Sequence, residues 1–465
     1  MGRYSKYQNT DNWFGTIPAT WETHRIKRLF VLRDKRNFLP LEQVNLISLY
    51  SNVGVRQHCD IEHTTGNRAR NADGYKVVHK DDIIVNILLC WMGAIGRSNY
   101  DGVTSPAYDV YMPRTNINSQ YYHYLFRTKA FSGECYKVGK GIMAMRWRTY
   151  SPQFMNINVP VPPRAEQDQI VRFLDWKVSE INKLIGIRRK EIQELEKLKA
   201  EIINSAILQG IDSNVVMKKT DVYYLPKIPA TWKVIKIKRI CKVGASISNQ
   251  LKKHTDQDKV VFLPMENISE NGKIDCSIKQ PIAKVRTGFS SFAKNDVIVA
   301  KITPCFENGK GACLDELKSD IGYGTTELFN LRAGNDVLPK YLYYITMTKI
   351  FRSLGEGQMT GSAGQKRVSA DFIRNFVIGL PSIAIQYKII DYICLKTSQI
   401  NRLICTKHKQ LEFLKELCST IISDVVTGKI DVRNIPVPAY EHVDDMVADD
   451  GEGNDEETGI PGEED

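Results

Sequence analysis

The chain repeats itself at long range, and this duplication constrains its fold more than any other feature of the sequence. Residues 165–212 align without a gap on residues 384–431, and 16 of the 48 positions are identical. Self-similarity over such a length indicates two copies of one structural unit. We therefore expect a tandem repeat with pseudo-two-fold symmetry.

Further landmarks recur at offsets that drift along the chain. Residues 17–21 recur at an offset of 211, residues 80–85 at 214, and residues 128–131 at 220. The second landmark reads as a turn followed by a buried β-strand. The third follows a cluster of tyrosines, and we predict helices there. The drift predicts loop insertions between landmarks.

The repeated segment reads as a long helix in both copies. Apolar residues recur about every 3.5 positions with charges between them, as in a coiled-coil seam. Prolines precede each segment, and Gly210 and Gly428 follow the last apolar residues. About 40 helical residues form a rod roughly 60 Å long, which cannot bury its seam inside a small domain. We expect the two rods to pair antiparallel and to hold globular domains at opposite ends.

These patterns predict an α+β fold, with two tandem globules of mixed α/β structure separated and joined by two antiparallel coiled-coil helices. We place the domains at 1–164 (first globule), 165–211 (first long helix), 212–381 (second globule), 382–430 (second long helix) and 431–465 (acidic tail).

The charge distribution points to a polyanionic partner. The formal net charge is +11, but residues 441–465 contain 12 Asp or Glu residues and no Lys or Arg. The other 440 residues hold 64 basic and 41 acidic side chains, a net charge of +23. Double-stranded DNA is the first candidate partner. We interpret the tail as a disordered, solubilising extension and retain a mimic of DNA charge as the alternative.

Motifs for catalysis or metal binding are missing. The sequence has no phosphate-binding GxxxxGK[ST] motif, no GxGxxG after a strand, and no Asn-Pro-Pro or Asp-Pro-Pro element of the kind that amino-methyltransferases use. His58, Cys59 and His63 form a close cluster without a second ligand pair, so we predict a loop there and no metal site. The ten cysteines form no CxxC pair, which fits a reducing, cytoplasmic location. The longest mostly apolar run, 83–96, is too short to span a membrane.

Two polar loops occupy matching places in the repeats. Residues 355–364 are rich in glycine and are followed by Gln365, Lys366 and Arg367. Glutamine can pair with adenine, arginine with guanine, and lysine with phosphate. The first copy has a basic loop at 139–148. The glycines would suit a phosphate cradle or a plain surface loop, and we favour DNA contact over a solvated charge cluster.

Taken together, these motifs resemble the specificity subunit of type I restriction-modification enzymes over residues 10–431. The stretches that carry the resemblance are Ile17–Trp21, Trp91–Ala94, Ser105–Tyr108, Pro162–Gln167, Ala300–Gly311 and Thr325–Glu327. The second copy departs from the family pattern, because Ile385 replaces the glutamate found as Glu166 in the first.

The resemblance implies two target recognition domains, each of which reads one half of a split DNA site. It further implies that the paired helices act as a ruler and as a docking surface for two modification subunits, which restriction subunits join. S-adenosylmethionine, ATP and Mg²⁺ would act in those partner subunits, and this chain would bind no cofactor. Because the two copies differ between landmarks, we expect an asymmetric site. The alternatives are a self-contained nuclease or methyltransferase with duplicated DNA-binding lobes, and a coiled-coil scaffold without DNA function.

The prediction is therefore a bacterial or archaeal, non-catalytic protein associated with DNA. The candidate DNA-binding residues are Arg97, Ser105, Lys140, Arg146, Arg148, Lys301, Asn308, Lys310, Gln358, Thr360, Ser362, Gln365, Lys366 and Arg367. The candidate partner-binding residues are Glu166, Gln167, Leu174, Ile181, Ile185, Ile192, Leu195, Gln386, Ile400, Ile404, Leu411 and Leu414.

Overall fold

A computed structural model describes residues 2–51, 54–58, 71–141, 147–361 and 365–443. The chain divides into two compact units. The first unit contains Met1–Lys190 and His408–Asp465, and the second contains Glu191–Lys407. Each of the two long helices contributes one segment to each unit.

The α-helices within the described residues are α1 (Ser119–Phe126), α2 (Lys129–Val138), α3 (Ser151–Phe154), α4 (Arg164–Gln209), α5 (Ser248–Leu251), α6 (Ile282–Val285), α7 (Pro339–Met347), α8 (Lys349–Glu356), α9 (Ala370–Asn375) and α10 (Ile383–Val426). The helices predicted around the tyrosine clusters are present as pairs. In both pairs a threonine, Thr128 or Thr348, caps the second helix by accepting a hydrogen bond from the backbone N–H three residues later.

The strands of the first unit are β1 (Tyr7–Asn9), β2 (Thr16–Pro18), β3 (Glu22–Arg25), β4 (Phe30–Leu32), β5 (Ile47–Tyr50), β6 (Gly54–Gln57), β7 (Lys76–Val78), β8 (Ile83–Asn86), β9 (Ile95–Arg97), β10 (Gly102–Thr104), β11 (Tyr108–Pro113) and β12 (Asn158–Val161). The strands of the second unit are β13 (Met217–Lys219), β14 (Lys227–Pro229), β15 (Lys233–Lys236), β16 (Cys241–Val243), β17 (Lys259–Leu263), β18 (Lys279–Pro281), β19 (Ser290–Ala293), β20 (Val297–Ala300), β21 (Gly311–Cys313), β22 (Ile321–Gly324), β23 (Leu328–Ala333) and β24 (Val377–Leu380).

One antiparallel sheet is common to both units. Its strand order is β4-β11-β8-β9 in the first unit and β16-β23-β20-β21 in the second. The second unit adds a sheet of order β18-β17-β22-β19, in which β17 and β22 run parallel. The first unit has the two-stranded pairs β5-β6 and β7-β10 instead. The shared sheet and the helix pairs confirm the predicted α+β repeat, and the extra sheet accounts for part of the drift in offset.

The long helices begin and end where the prolines and glycines predict. Gly210 and Gly428 follow them with φ of +84° and +74°, the left-handed region that glycine tolerates best. In the second unit, Glu191 of α4 and Lys407 of α10 form an ion pair at 2.9 Å.

Each unit buries the beginning of one long helix together with the end of the other. The core of the second unit contains Ile207 of α4 and Ile389 of α10, and the core of the first contains Ile170 and Val425. The helix segments within each unit therefore run antiparallel, as predicted.

The chain beyond α10 differs from the predicted tail. Residues 431–443, which we call the C-terminal strap, pack along the first unit. Val432 is fully buried, and the backbone N–H of Asp431 donates to the carbonyl of Gly2 at 3.0 Å. Gln169 of α4 donates from its amide to the carbonyls of Val432 and Ile435. The prediction of disorder from residue 431 was wrong for the strap because its apolar residues find a core to join. Residues 444–465 lie outside the described residues.

A buried aspartate explains the recurrence of the second landmark. Asp82 precedes β8 and accepts hydrogen bonds from Arg33 and from the backbone of His79. Asp296 precedes β20 in the same way and accepts two hydrogen bonds from the guanidinium of Arg332, at 2.7 and 2.8 Å. Each carboxylate therefore closes a turn and is neutralised by an arginine that lies far away in the sequence.

We predict that Asp296→Ala lowers the free energy of unfolding of the second unit by about 3 kcal/mol, because it leaves the half-buried guanidinium of Arg332 and the buried backbone N–H of Ala293 without their acceptor. Urea denaturation of the full chain measures this loss. The matched control is Asp256→Ala, which removes an exposed ion pair with Arg286 and should cost less than about 1 kcal/mol. Equal losses in the two variants would contradict the assigned role of Asp296.

Candidate nucleic-acid interface

The two loops predicted to contact DNA are built in the same way. The loop of the first unit leaves α2 at Gly139 and is closed by an antiparallel bridge in which Lys140 and Arg148 exchange backbone hydrogen bonds of 2.8 and 2.9 Å. The loop of the second unit is closed by an equivalent bridge between Thr360 and Arg367, at 2.8 and 3.1 Å. Two loops of different sequence therefore share one frame.

Each loop is fixed to the shared sheet by an equivalent hydrogen bond. The backbone N–H of Thr149 donates to the carbonyl of Ile87 at 2.9 Å, and that of Val368 donates to the carbonyl of Lys301 at 2.9 Å. Ile87 and Lys301 directly follow the equivalent strands β8 and β20. The rigid sheet consequently positions both loops, as a reading surface requires.

Several predicted DNA-binding side chains are exposed on these loops. They are Lys140 and Arg148 in the first unit and Gln358, Thr360, Gln365 and Lys366 in the second. Two further candidates, Arg146 and Ser362, lie outside the described residues. The exposed set offers amide, hydroxyl and cationic groups, which are the groups that read base edges and bind phosphates.

Arg367 is held against the second unit by an ion pair, although its side chain remains partly exposed. Its guanidinium donates two hydrogen bonds of 2.9 Å to the carboxylate of Glu327, which directly precedes β23. The same bond holds the pKa of Glu327 below its ordinary value, against the opposing effect of partial burial. Arg367 therefore anchors the loop of the second unit, and Glu327 is a functional residue that loop composition did not reveal.

Arg97 is also engaged within the protein. Its guanidinium pairs with Asp81 and donates to Asn99 and Gln120. These contacts engage all three nitrogens of the guanidinium, so Arg97 joins β9 to α1 in the first unit.

The remaining candidates are spread over turns and strand ends. Lys310 donates to the carbonyl of Met265 at 3.2 Å, and the ammonium of Lys301 lies 5.4 Å from the centre of the Phe329 ring. Ser105 accepts from the backbone of Ala107 within a turn, and Asn308 is exposed. Of this group, the structure brings Lys301 beside the loop of the second unit.

Aromatic side chains flank the loop of the first unit. Tyr136 stacks on Trp147 with ring centres 4.9 Å apart, and Trp91 leans on Tyr136 at 5.6 Å. A cavity of about 470 Å³ opens beside them, with Lys129 and Ser132 among its lining residues. Basic residues with interleaved aromatic residues are typical of nucleic-acid binding. In the sequence, Trp147 within the basic loop at 139–148 is the residue that indicates this aromatic cluster.

The second unit is packed differently at the equivalent place. Arg352 stands where the first unit has Ser132, and its guanidinium lies 4.8 Å from the centre of the Phe306 ring. It donates to the carbonyl of Phe306 at 2.7 Å, and burial lowers its pKa to about 10. The two loops therefore have different surroundings in the two units.

Three of the predicted partner-binding residues are buried inside the units. Glu166 accepts hydrogen bonds from Trp21 and Tyr4. Gln167 accepts from the backbone N–H of Asn118 at 2.8 Å, and Gln386 accepts from that of Leu338 at 2.9 Å. The assignment of Glu166, Gln167 and Gln386 to a partner surface was wrong, because these polar groups satisfy backbone and side-chain donors within the chain.

The predicted seam is also an internal surface. The seam residues, all buried or half-buried, are Leu174, Ile181, Ile185, Ile192, Leu195, Ile400, Ile404, Leu411 and Leu414. A partner cannot reach the buried members of the set, which corrects the assignment of Leu174, Ile181, Ile400, Ile404 and Leu411. The half-buried members are Ile185, Ile192, Leu195 and Leu414, and their assignment stays a prediction. The apolar side chains that α4 and α10 do expose are Leu184, Ile187, Leu198, Tyr387, Leu395, Leu403, Phe413 and Leu417. Sequence periodicity identified the seam but not this second set.

No cluster of three or more metal-binding side chains occurs among the described residues. Of the predicted loop at 58–63, His58 is described, and Cys59 and His63 lie outside the described residues. In that described part of the chain, no helix is both long and apolar enough to cross a membrane.

We predict that Arg367→Ala raises the pKa of Glu327, because the main cause of its depression is removed. Carboxyl chemical shifts followed by NMR over pH measure this value, with Lys366→Ala as the control that leaves it unchanged. Because the pKa of Glu327 in the folded state is depressed, the ion pair stabilises the fold above the unfolded pKa. That stabilisation is lost as pH falls through the folded pKa. An unchanged pKa in Arg367→Ala would contradict the anchor.

Comparison with known proteins places both repeats in one family. The sequence pattern of the type I restriction modification DNA specificity domain matches residues 18–221 and again residues 229–439. The chain is 40% identical over 168 residues to the type I restriction enzyme EcoAI specificity subunit of Escherichia coli, a match that covers 35% of this chain and 28% of that protein. It is 25% identical over 382 residues to the MjaVIII specificity subunit of Methanocaldococcus jannaschii, covering 77% of this chain and 83% of that protein.

A solved structure shares the fold. It comes from work on complex assembly and conformational transition of the type I R-M system, with a TM-score of 0.63 and 14% identity. The similarity covers 89% of this chain and 99% of that one. Because the family pattern matches most of the sequence in two tandem copies, the chain belongs to the family of type I restriction modification DNA specificity domains.

Proposed function

We propose that this chain is the DNA-recognition subunit of a type I restriction-modification complex and that it reads a split, asymmetric target. The observation that carries this proposal is the pair of equivalent loops, 139–148 and 357–367, which the same sheet position fixes in each repeat. The net charge of +23 outside the terminal 25 residues supplies the attraction to DNA phosphates.

Each loop would read one half of the target. In the second unit, the amide of Gln365 can pair with adenine, and the neighbouring Lys366 can bind a phosphate. The first unit would use Lys140, Arg148 and Trp147 in the same place. Each bidentate base contact contributes about 1 to 3 kcal/mol of discrimination. Half-sites centred about one turn of DNA apart, roughly 34 Å, would lie on the same side of the duplex.

The anchored arginines would act on recognition indirectly. Arg367 and Arg97 hold the loop and β9 through carboxylates of the same unit. The Nε and Nη2 groups of both guanidiniums already face these carboxylates, so a two-point contact with guanine through the same groups would require exchanging Glu327 or Asp81 for the base. We therefore assign them to positioning and leave base reading to the exposed loop residues.

Partner subunits would supply the chemistry. We propose that two modification subunits dock on the apolar side chains that α4 and α10 expose, and that restriction subunits join through them. S-adenosylmethionine would act in the modification subunits, and ATP and Mg²⁺ in the restriction subunits. The complex would work in the cytoplasm of a bacterial or archaeal cell. A self-contained nuclease or methyltransferase finds no support, because the sequence lacks the motifs that such activities use.

We predict that the complex with its modification subunits binds target DNA with a steep salt dependence, and that Lys366→Ala reduces the slope of log K against log salt by about 1. Fluorescence anisotropy with labelled duplexes measures the slope. Gln365→Ala should instead weaken binding to one half-site sequence by about tenfold without changing the slope.

The matched control is Lys318→Ala, which removes an exposed lysine of the same unit outside the loop. An equal change of the slope in Lys318→Ala and Lys366→Ala would mean that Lys366 contributes only to the general positive charge of the unit and makes no specific phosphate contact. Binding that is insensitive to both loops would overturn the proposed function.

A further inference from the structure

The last described residues of the C-terminal strap, 441–443, are held on α4 by three polar side chains of the first unit. The hydroxyl of Ser179 accepts a hydrogen bond from the backbone N–H of Val443 at 2.6 Å. The amide of Asn182 donates to the carbonyl of the same residue at 3.4 Å. The ammonium of Lys183 lies 3.7 Å from the carboxylate of Glu441. The backbone of Val443 is therefore bound through both its N–H and its carbonyl. The carboxylate of Glu441, two residues earlier, is paired with the Lys183 ammonium.

This mode of binding is largely independent of the side chain at the gripped position. Ser179 and Asn182 lie three positions apart on α4 and so face the same side. They satisfy both hydrogen-bonding groups of one backbone residue, which any extended peptide presents. Lys183 adds one requirement, because its ammonium pairs with an acidic side chain two residues before the bound backbone residue. The three side chains form a seat for an extended, acid-bearing segment.

The same three groups recur on α10 in the second unit. At the offset of 219 that relates the two helices, Ser398, Asn401 and Arg402 stand for Ser179, Asn182 and Lys183. All three are exposed, and their side chains make no hydrogen bond or ion pair with any other described residue. The serine and the asparagine are the same in both helices, and an arginine replaces the lysine. The helix α10 therefore presents the same hydrogen-bonding groups and the same positive charge as the occupied site on α4.

Apolar side chains border the second seat and remain open to solvent. Leu395 is 58% exposed and Leu403 is 51% exposed. In the first unit, the residue equivalent to Leu395 is Trp176, which is partly buried against the core. The C-terminal strap lies on the first unit. The described residues of the second unit leave this face of α10 uncovered.

We propose that Ser398, Asn401 and Arg402 form a second peptide seat, which binds an extended segment of a partner protein. That segment carries an acidic side chain two residues before the residue whose backbone is gripped. Arg402 selects the carboxylate, Ser398 and Asn401 bind the backbone, and Leu395 and Leu403 offer apolar surface to flanking side chains. The proposal does not depend on DNA recognition, since it rests on the occupied seat of the first unit.

The test uses a fluorescent peptide with the sequence of residues 433–443 and the full-length chain, followed by anisotropy. We expect saturable binding at one site. The double variant Ser398→Ala with Asn401→Ala should weaken it at least tenfold. Arg402→Glu should abolish binding of this peptide and restore binding of a peptide in which Glu441 is replaced by lysine. The substituted positions are exposed, and thermal melting of each variant verifies that the fold is intact.

The first seat provides the matched control, because the peptide could bind there by displacing the strap. The double variant Ser179→Ala with Asn182→Ala should leave binding at the second seat unchanged. Binding that is lost in this variant and kept in the α10 variant would overturn the proposal. So would a failure of the charge exchange at Arg402, or the absence of saturable binding up to millimolar peptide.

Discussion

A glutamine buried at the start of each long helix ties the helix to its recognition unit. Gln167 and Gln386 accept a hydrogen bond from the backbone residue that precedes α1 or α7, and each donates to a proline carbonyl just before its own helix. A buried amide with its groups satisfied fixes orientation, because any rotation of the helix would leave donors unpaired. The direction in which each helix leaves its unit is set here.

The placement of the two loops also depends on hydrogen-bonding groups that are paired within each unit. Sheets of equal strand order place the turns after β8 and β20 in equivalent positions, and a backbone hydrogen bond fixes each loop to that turn. Buried carboxylates at Asp82 and Asp296 close the turns before those strands. The rigid part of each unit is thus duplicated, while the exposed loop residues differ. Under the proposed function, such a frame would allow the two target halves to change independently.

Sequence predicted the features that repeat or follow a period. The duplication, the helix ends at Gly210 and Gly428, and the matching loops could all be inferred from spacing. Contacts that depend on the tertiary fold could not be inferred in this way. The carboxylate of Glu327 pairs with the guanidinium of Arg367, which no spacing indicated. Gln167 was assigned to a partner surface, although it is buried and accepts a hydrogen bond within the chain. The ordered strap was missed because an acidic composition masked Val432 and Ile435, whose burial depends on a distant core.

The central claim is that two loops in a duplicated frame read two halves of one target. Mapping of methylated adenines across a genome tests it most directly, with the chain co-expressed with its modification subunit and the 357–367 loop replaced. A split motif with a fixed gap, which changes in one half when the loop is replaced, is the predicted result. A short continuous motif, or a change in both halves, would contradict the account.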